Sequence, residues 1–198
     1  MSMAQSPHND QRVIELIQAG DSRAYAVLVD RYKDRALSFA SRLIGDRQEA
    51  EELVQDAFIR AYRALDRFRG DSTFGTWFYR ILHNLCLKRI SRHKNQPRQI
   101  SVDEEEGLDA ILEDKDEPSI LERLEEKELQ DLISGEIALL PEKFRSAVLL
   151  FYVEGMSYEE MAAVLEIPVG TVKTNLFRGR NRLRERVLRR EGKEAKVA

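Results

Sequence analysis

Apolar residues recur at three- and four-residue intervals along most of the chain, and the alternation typical of strands is absent. Such spacing is typical of amphipathic α-helices. In the first half it predicts four helices, at about 11–19, between Gly20 and Gly45, across 50–65, and at about 73–92. Four helices with short connections predict one helical bundle.

The helical pattern continues in the second half of the chain. One predicted helix carries apolar residues over 121–140, and the next covers 141–153. A Ser-x-x-Glu capping box opens a short helix at 157–165. A proline precedes the last predicted helix, at about 169–190. The second half is therefore also predicted to be helical.

Between the halves the periodicity weakens, and residues 103–106 are four consecutive acidic residues. Twenty flexible residues would span about 25 Å on average. The simplest interpretation is a solvated tether with no other role. The predicted fold class is all-α, with two helical domains at 11–96 and 119–190 joined by an acidic flexible linker at 97–118.

The net charge of −3 conceals a segregation of charge along the chain. Residues 1–98 carry 17 basic and 12 acidic side chains, residues 99–135 carry 3 and 14, and residues 136–198 carry 12 and 9. Two mildly basic modules that flank an acidic strip indicate nucleic-acid contact by the modules.

The single cysteine, Cys86, allows no intramolecular disulfide and fits a reducing cytosol. No apolar run approaches the roughly 20 residues that span a membrane. The polar first ten residues do not resemble a signal peptide. We expect a soluble, cytoplasmic protein.

Residues 157–180 predict a short helix, a tight turn and a longer basic helix, which is the layout of a helix-turn-helix. Val172 and Leu176 fall on the inward face of the second helix. The outward residues include Lys173, Thr174, Asn175, Arg178 and Arg180. Arg and Lys bond guanine, and Asn bonds adenine, in the major groove. The alternative is a helical hairpin with a solvated basic face.

Aromatic residues crowd the start of the fourth helix, just after a polar loop at 68–72. They are Phe74, Trp77, Phe78 and Tyr79. Farther along one side of the same helix lie Asn84, Lys88, Ser91 and Arg92. Rings beside cations suit single-stranded DNA, whose bases stack on them. Aromatic residues at helical spacing suit a core equally well, and composition leaves both interpretations open.

The third helix turns polar residues outward beside a long apolar stripe. They are Glu51, Glu52, Gln55, Asp56 and Arg60. This face either docks a partner helix or is merely solvated. His83 and Cys86 have a spacing that two metal ligands can use, but no second ligand pair exists. We expect no metal and no cofactor, and Cys86 is predicted to be a small buried hydrophobe.

Two segments together carry a resemblance. Residues 50–84 read AEELVQDAFIRAYRALDRFRGDSTFGTWFYRILHN, and residues 140–185 read LPEKFRSAVLLFYVEGMSYEEMAAVLEIPVGTVKTNLFRGRNRLRE. In this order and at this separation they resemble the extracytoplasmic-function (ECF) branch of the sigma-70-like bacterial sigma factors. The resemblance covers about residues 11–190. It implies a protein that starts transcription of a stress- or signal-responsive regulon and is not an enzyme.

The resemblance implies three sets of site residues. The polymerase would be docked by Gln55, Asp56, Phe58 and Arg60. The −10 element, with a flipped base held in the loop, would be read by Phe68, Arg69, Asp71, Ser72, Thr73, Trp77, Asn84, Lys88 and Arg92. The −35 element would be read by Lys173, Thr174, Asn175, Phe177, Arg178 and Arg180.

The implied partners are core RNA polymerase, through its beta-prime and beta subunits, promoter DNA, and an anti-sigma factor that is often membrane-anchored. The acidic linker would thread toward the polymerase active-site cleft. Two other interpretations stay open. One is a free-standing helix-turn-helix regulator that does not use polymerase. The other is a helical adaptor that binds only protein.

Overall fold

The computed structural model describes residues 7–94 and 135–194, with side chains described for 10–93 and 135–189. Within these ranges every regular element is a helix, which confirms the all-α prediction. The predicted linker at 97–118, and the helix predicted from residue 121 as far as residue 134, lie outside the described residues. No helix in the described ranges is long and apolar enough to cross a membrane.

Four α-helices form the N-terminal module, residues 7–94. They are α1 (Pro7–Gln18), α2 (Tyr25–Ile44), α3 (Arg47–Ala64) and α4 (Phe74–Lys94), with 3₁₀ turns at Ser22–Ala24 and Leu65–Arg67. The predicted end of α2 is confirmed, because the residues that cap helices are present at the junction with α3. Gly45 ends α2 in the left-handed region at φ 86°, and the Asp46 side chain accepts a hydrogen bond from the Glu49 N–H.

The core of this module is built from aromatic rings of α2, α3 and α4. Phe58 stacks on Phe78 with ring centroids 4.5 Å apart, and Phe39 meets Tyr79 edge-on at 5.5 Å. Tyr32 donates a hydrogen bond to Asp10. Asp10 also pairs with Arg31, so buried polar contacts fix α1 against α2.

In the C-terminal module, residues 135–194, the first four residues (135–138) are helical, and three further α-helices follow. They are α5 (Glu142–Val148), α6 (Tyr158–Leu165) and α7 (Val169–Glu194). A π-helical segment, Leu149–Val153, continues α5, where the sequence predicted an ordinary helix. Ser157 and Glu160 form the predicted capping box reciprocally. The module is therefore a compact set of helices around α7.

The two modules pack against each other. Helix α4 lies along α6, and α2 contacts α5 and the π-helical segment. The buried apolar residues of both modules form one cluster. The sequence predicted two domains joined by a linker and no particular contact between them, so this direct packing is a finding of the structure.

Gly179 lies where α7 packs closely against α5, so a substitution there tests the packing of the C-terminal module. A Cβ there would lie 2.8 Å from Val148 Cγ2 and 3.3 Å from the Phe144 carbonyl oxygen. We expect Gly179→Ala to lower the free energy of unfolding by about 1–2 kcal/mol, because the overlap outweighs the gain in helix propensity. Gly170→Ala, in the same helix with open space around it, should be neutral or slightly stabilising. Urea denaturation measures both, and equal effects would contradict this account.

Candidate nucleic-acid interface

The turn between α6 and α7 has the geometry of a helix-turn-helix. Helix α6 ends at Glu166, which adopts the left-handed conformation at φ 58°. The Ile167 N–H donates back to the Ala162 carbonyl at 3.3 Å, and Pro168 leads directly into α7. On the inward face Val172 and Leu176 are buried, as predicted. The tight turn thus holds α7 across α6 with its other face outward.

The exposed face of α7 carries most of the predicted duplex-reading residues. Lys173, Thr174 and Phe177 are exposed, and Asn175, Arg178 and Arg180 are half-buried. The Lys173 ammonium lies 5.3 Å from the centroid of the Tyr158 ring, a cation–π distance. Thr174 donates to the Gly170 carbonyl at 2.9 Å. Local contacts therefore pre-position some of these side chains.

Two arginines farther along α7 serve the fold. The Arg182 guanidinium lies 4.9 Å from the Phe144 ring centroid, and Arg186 pairs with Glu136 at 2.7 Å. Both cations are therefore already engaged within the C-terminal module. Arg184 and Arg189 are exposed and remain available to a polyanion.

The loop before α4 is anchored at both ends. The Gln18 amide donates to the carbonyls of Leu65 and Phe68. At the other end, Thr73 Oγ1 accepts the Thr76 N–H at 3.1 Å and so caps α4. The loop residues between these anchors are exposed, namely Arg69, Gly70, Asp71 and Ser72. A fixed frame thus presents a short polar loop to solvent.

The structure shows which of the aromatic residues around the start of α4 belong to the core. Phe74, Phe78 and Tyr79 are buried in the core. Trp77 and Phe68 are half-buried, with ring centroids 5.0 Å apart at the rim of the loop. These two rings are the aromatic surface beside the loop that reaches solvent.

The polar side of α4 is partly engaged by the other module. Asn84, Lys88 and Arg92 are exposed on one side of the helix. The Asn84 amide donates to Glu166 Oε2 at 3.4 Å, and Arg80, one turn earlier, pairs with the other oxygen of that carboxylate. The predicted single-strand surface therefore adjoins the C-terminal module.

The outward face of α3 carries the predicted polar residues, while Phe58 lies beneath it. Gln55 and Arg60 are exposed and Asp56 is half-buried; Asp56 and Arg60 pair at 3.0 Å along the helix, which raises the pKa of Arg60. Phe58 is only 8% exposed and stacks on Phe78. Its ring supports the core beneath the face, and the contact of Phe58 with a partner stays a prediction.

His83 and Cys86 both lie inside the protein. His83 Nε2 lies 3.0 Å from Ser146 Oγ of the C-terminal module, and burial lowers the His83 pKa to about 4. Cys86 is fully buried, and burial raises its pKa to about 12. Among residues 7–94 and 135–194, no three His, Cys, Asp or Glu side chains are grouped to hold a metal ion.

Sequence reasoning missed the contacts between the modules. The buried Glu154 carboxylate accepts a hydrogen bond from Tyr79 and pairs with Arg35 at 3.1 Å. Desolvation raises the pKa of Glu154, while the hydrogen bond from Tyr79 and the charge of Arg35 oppose that rise. The signal available in the sequence was one acidic residue ending an apolar run, immediately before Gly155.

Comparison with known proteins identifies the family. The family model for sigma-70 region 2 matches residues 28–96, and the model for sigma-70 region 4 matches residues 130–183. The chain is 38% identical over 182 residues to the ECF RNA polymerase sigma-E factor of Escherichia coli K12, covering 90% of this chain and 94% of that protein. The chain belongs to the ECF sigma factors.

Further similarities support the assignment. The chain is 39% identical over 175 residues to the RNA polymerase sigma-H factor of Pseudomonas aeruginosa, covering 86% of this chain and 90% of that protein. In the complex of CnrH with the cytosolic domain of CnrY, the matching chain is 26% identical, with a TM-score of 0.63 and coverage of 90% and 96%. In the co-crystal structure of the sigma factor RpoE with the anti-sigma factor NepR from Bartonella quintana, the matching chain is 25% identical, with a TM-score of 0.62. The match covers 81% of this chain and 94% of that chain.

As a sigma factor, the chain carries its two regions on the two modules seen in the structure. The region 2 match includes α3, the polar loop and α4, and the region 4 match includes the helix-turn-helix. Sigma factors as a family are not enzymes.

The buried His83 makes the stability of this sigma factor depend on pH. Its folded-state pKa of about 4 lies below the ordinary value of 6.5, so the unfolded state binds the proton more tightly. Stability is therefore lost as pH falls from about 6.5 toward 4. Between pH 7.5 and 5.5 the wild type should lose about 1 kcal/mol more unfolding free energy than His83→Gln.

Urea denaturation at the two pH values measures this difference. Glu154 is present in both the wild type and His83→Gln, so its contribution cancels when their losses are compared. Its raised pKa makes the protein more stable as pH falls, which is opposite to the effect of His83. His93→Gln, at an exposed histidine of the same helix, is the matched control. Equal losses in the wild type and His83→Gln would show that burial of His83 does not control the effect.

Proposed function

We propose that the protein binds core RNA polymerase and directs it to promoters that carry −35 and −10 elements. Family membership and the presence of two separate DNA-compatible surfaces in one chain support this proposal. The exposed face of α7 suits the major groove of a duplex. The loop with Phe68 and Trp77, beside Asn84 on α4, suits an unstacked single strand.

The mechanism we infer has three steps. The α3 face, with Gln55, Asp56 and Arg60, docks on the polymerase. Helix α7 then holds the duplex at the −35 element through the residues predicted above. Finally, the loop captures an extruded base, whose unstacking costs a few kcal/mol that pocket contacts and polymerase binding offset.

The domain limits remain those proposed from sequence, at 11–96 and 119–190 with a linker at 97–118. We also propose an anti-sigma factor as a partner, because two structurally similar proteins were solved as complexes, one with an anti-sigma factor and one with the cytosolic domain of CnrY. The proposed location is the cytoplasm, where the polymerase is found. The inhibitor and the inducing signal are to be identified by experiment.

The decisive experiment is run-off transcription with purified core polymerase on a genomic promoter library. We expect sequence-selective transcripts only when this protein is added. The absence of selective initiation on every template would refute the proposal. A half-site-symmetric footprint by the isolated chain at physiological salt would instead favour a free-standing regulator.

The docking face can be tested by charge reversal. Asp56→Arg should weaken binding to core polymerase about tenfold or more, because it places a like charge beside Arg60 and removes the anion from the face. The fold should be retained, since the residue is partly exposed. Asp34→Arg, an exposed reversal on α2, is the control. Fluorescence anisotropy with labelled protein measures both affinities, and equal losses would argue against a docking role for Asp56.

The recognition helix can be tested by matched truncations. Lys173→Ala and Arg178→Ala should each reduce transcription from a −35-dependent promoter about tenfold and relax the preference at the contacted base pairs. Arg184→Ala removes the same charge from an exposed site farther along α7 and should change binding with little effect on base preference. Run-off assays on −35 point variants measure this. An equal shift in preference for Arg184→Ala would contradict the assignment.

A further inference from the structure

We propose that helix α1 is part of the single-strand reader, with Gln18 as the residue that positions the polar loop before α4. The proposal rests on the proposed function for what the loop reads. The match to sigma-70 region 2 begins at residue 28, so α1 (Pro7–Gln18) lies outside it. The contacts between α1 and the loop are present in the free chain, so they can be tested without DNA.

Gln18 holds the start of the loop from the end of α1. Its side-chain Nε2 donates to the Leu65 carbonyl at 3.1 Å and to the Phe68 carbonyl at 3.4 Å. The Phe68 N–H also donates to the Leu65 carbonyl and closes the 3₁₀ turn between them. One amide group, using both of its protons, therefore ties this turn and the first loop residue to a side chain 47 and 50 positions earlier.

The other end of α1 supports the far side of the loop. The buried Asp10 carboxylate accepts a hydrogen bond from the Tyr32 hydroxyl at 2.5 Å. This tyrosine lies against the first turn of α4, since a Cβ on Gly75 would come within 3.2 Å of its hydroxyl oxygen. Between these ends, a Cβ on Gly70 would lie 3.7 Å from Gln11 Oε1. The loop therefore runs within contact distance of α1.

Helix α1 can support the loop because its own position is fixed. Val13, Ile14 and Ile17 are buried in the common core. Removing three aliphatic side chains from water holds the helix against the bundle. The loop residues Arg69 to Ser72 are exposed and have little buried surface of their own. The loop therefore takes its position from α1 and α4 rather than from its own packing.

An ordered loop favours capture of a base, because less conformational entropy is lost on binding. Phe68 connects the anchor to the bound strand. Gln18 holds its carbonyl, and its ring lies 5.0 Å from that of Trp77 at the rim of the loop. A displaced Phe68 moves this ring pair and the polar residues after it together. Loss of the anchor should therefore weaken discrimination at the −10 element and leave the −35 element, read by α7, unaffected.

The substitution Gln18→Glu tests the anchor, because it keeps the shape of the side chain and replaces the donor with an anionic acceptor. Run-off transcription by the holoenzyme is measured on the promoter that the library yields, and on templates with one −10 or one −35 base pair changed. We expect Gln18→Glu to lower −10 discrimination about fivefold, since two hydrogen bonds are lost, with −35 discrimination unchanged.

Two further variants separate anchoring from a general effect on the fold. Gln18→Lys keeps a hydrogen-bond donor and should retain the wild-type preference at both elements. Gln48→Glu makes the same chemical change at an exposed glutamine of α3 and should have no effect. An unchanged −10 preference in Gln18→Glu, an equal loss at both elements, or equal losses in Gln18→Glu and Gln18→Lys would overturn the proposal.

Trp77 gives a second readout that needs neither DNA nor polymerase. It is the single tryptophan of the chain, and its ring packs beside that of Phe68. Acrylamide quenching of its fluorescence should increase about twofold in Gln18→Glu, because the loop opens locally, and should not change in Gln48→Glu. Unchanged quenching in Gln18→Glu would overturn the anchoring role. If run-off transcription finds no promoter, the proposed function fails, while quenching still decides whether Gln18 holds the loop.

Discussion

The carboxylate of Glu154 is the contact on which the arrangement of the two modules depends. It is buried at the junction, where Tyr79 on α4 and Arg35 on α2 both bond it. A buried charge without partners is strongly unfavourable. The C-terminal module therefore sits where these two helices supply donors, and the position of α6 along α4 follows. Arg145 adds a second tie by donating to the Leu43 carbonyl at 2.8 Å.

This packing treats the two DNA-compatible surfaces differently. The outward face of α7 keeps Lys173, Thr174 and Phe177 exposed. The polar side of α4 has Asn84 bonded across the junction, while Lys88 stays exposed. The duplex-reading surface is thus open to solvent in this conformation, and the single-strand surface is partly covered.

Much of the local structure was predictable from sequence. The ends of α2 and α6, the capping box at Ser157 and the inward placement of Val172 and Leu176 follow from residues close together in the chain. The burial of Phe58 follows the same rule. It lies four residues after the buried Val54, so helical periodicity places it on the core stripe. The docking role that the resemblance implied for Phe58 stays a prediction.

The sequence by itself determined the helices, the helix-turn-helix and the segregation of charge, because each depends on neighbours within a few turns. Only the tertiary structure decided which aromatic rings are core and which carboxylate meets which donor. The Arg35–Glu154 and Arg80–Glu166 contacts join residues 119 and 86 positions apart. Nothing in local spacing selects such pairs, since they form only after the modules pack and exclude water.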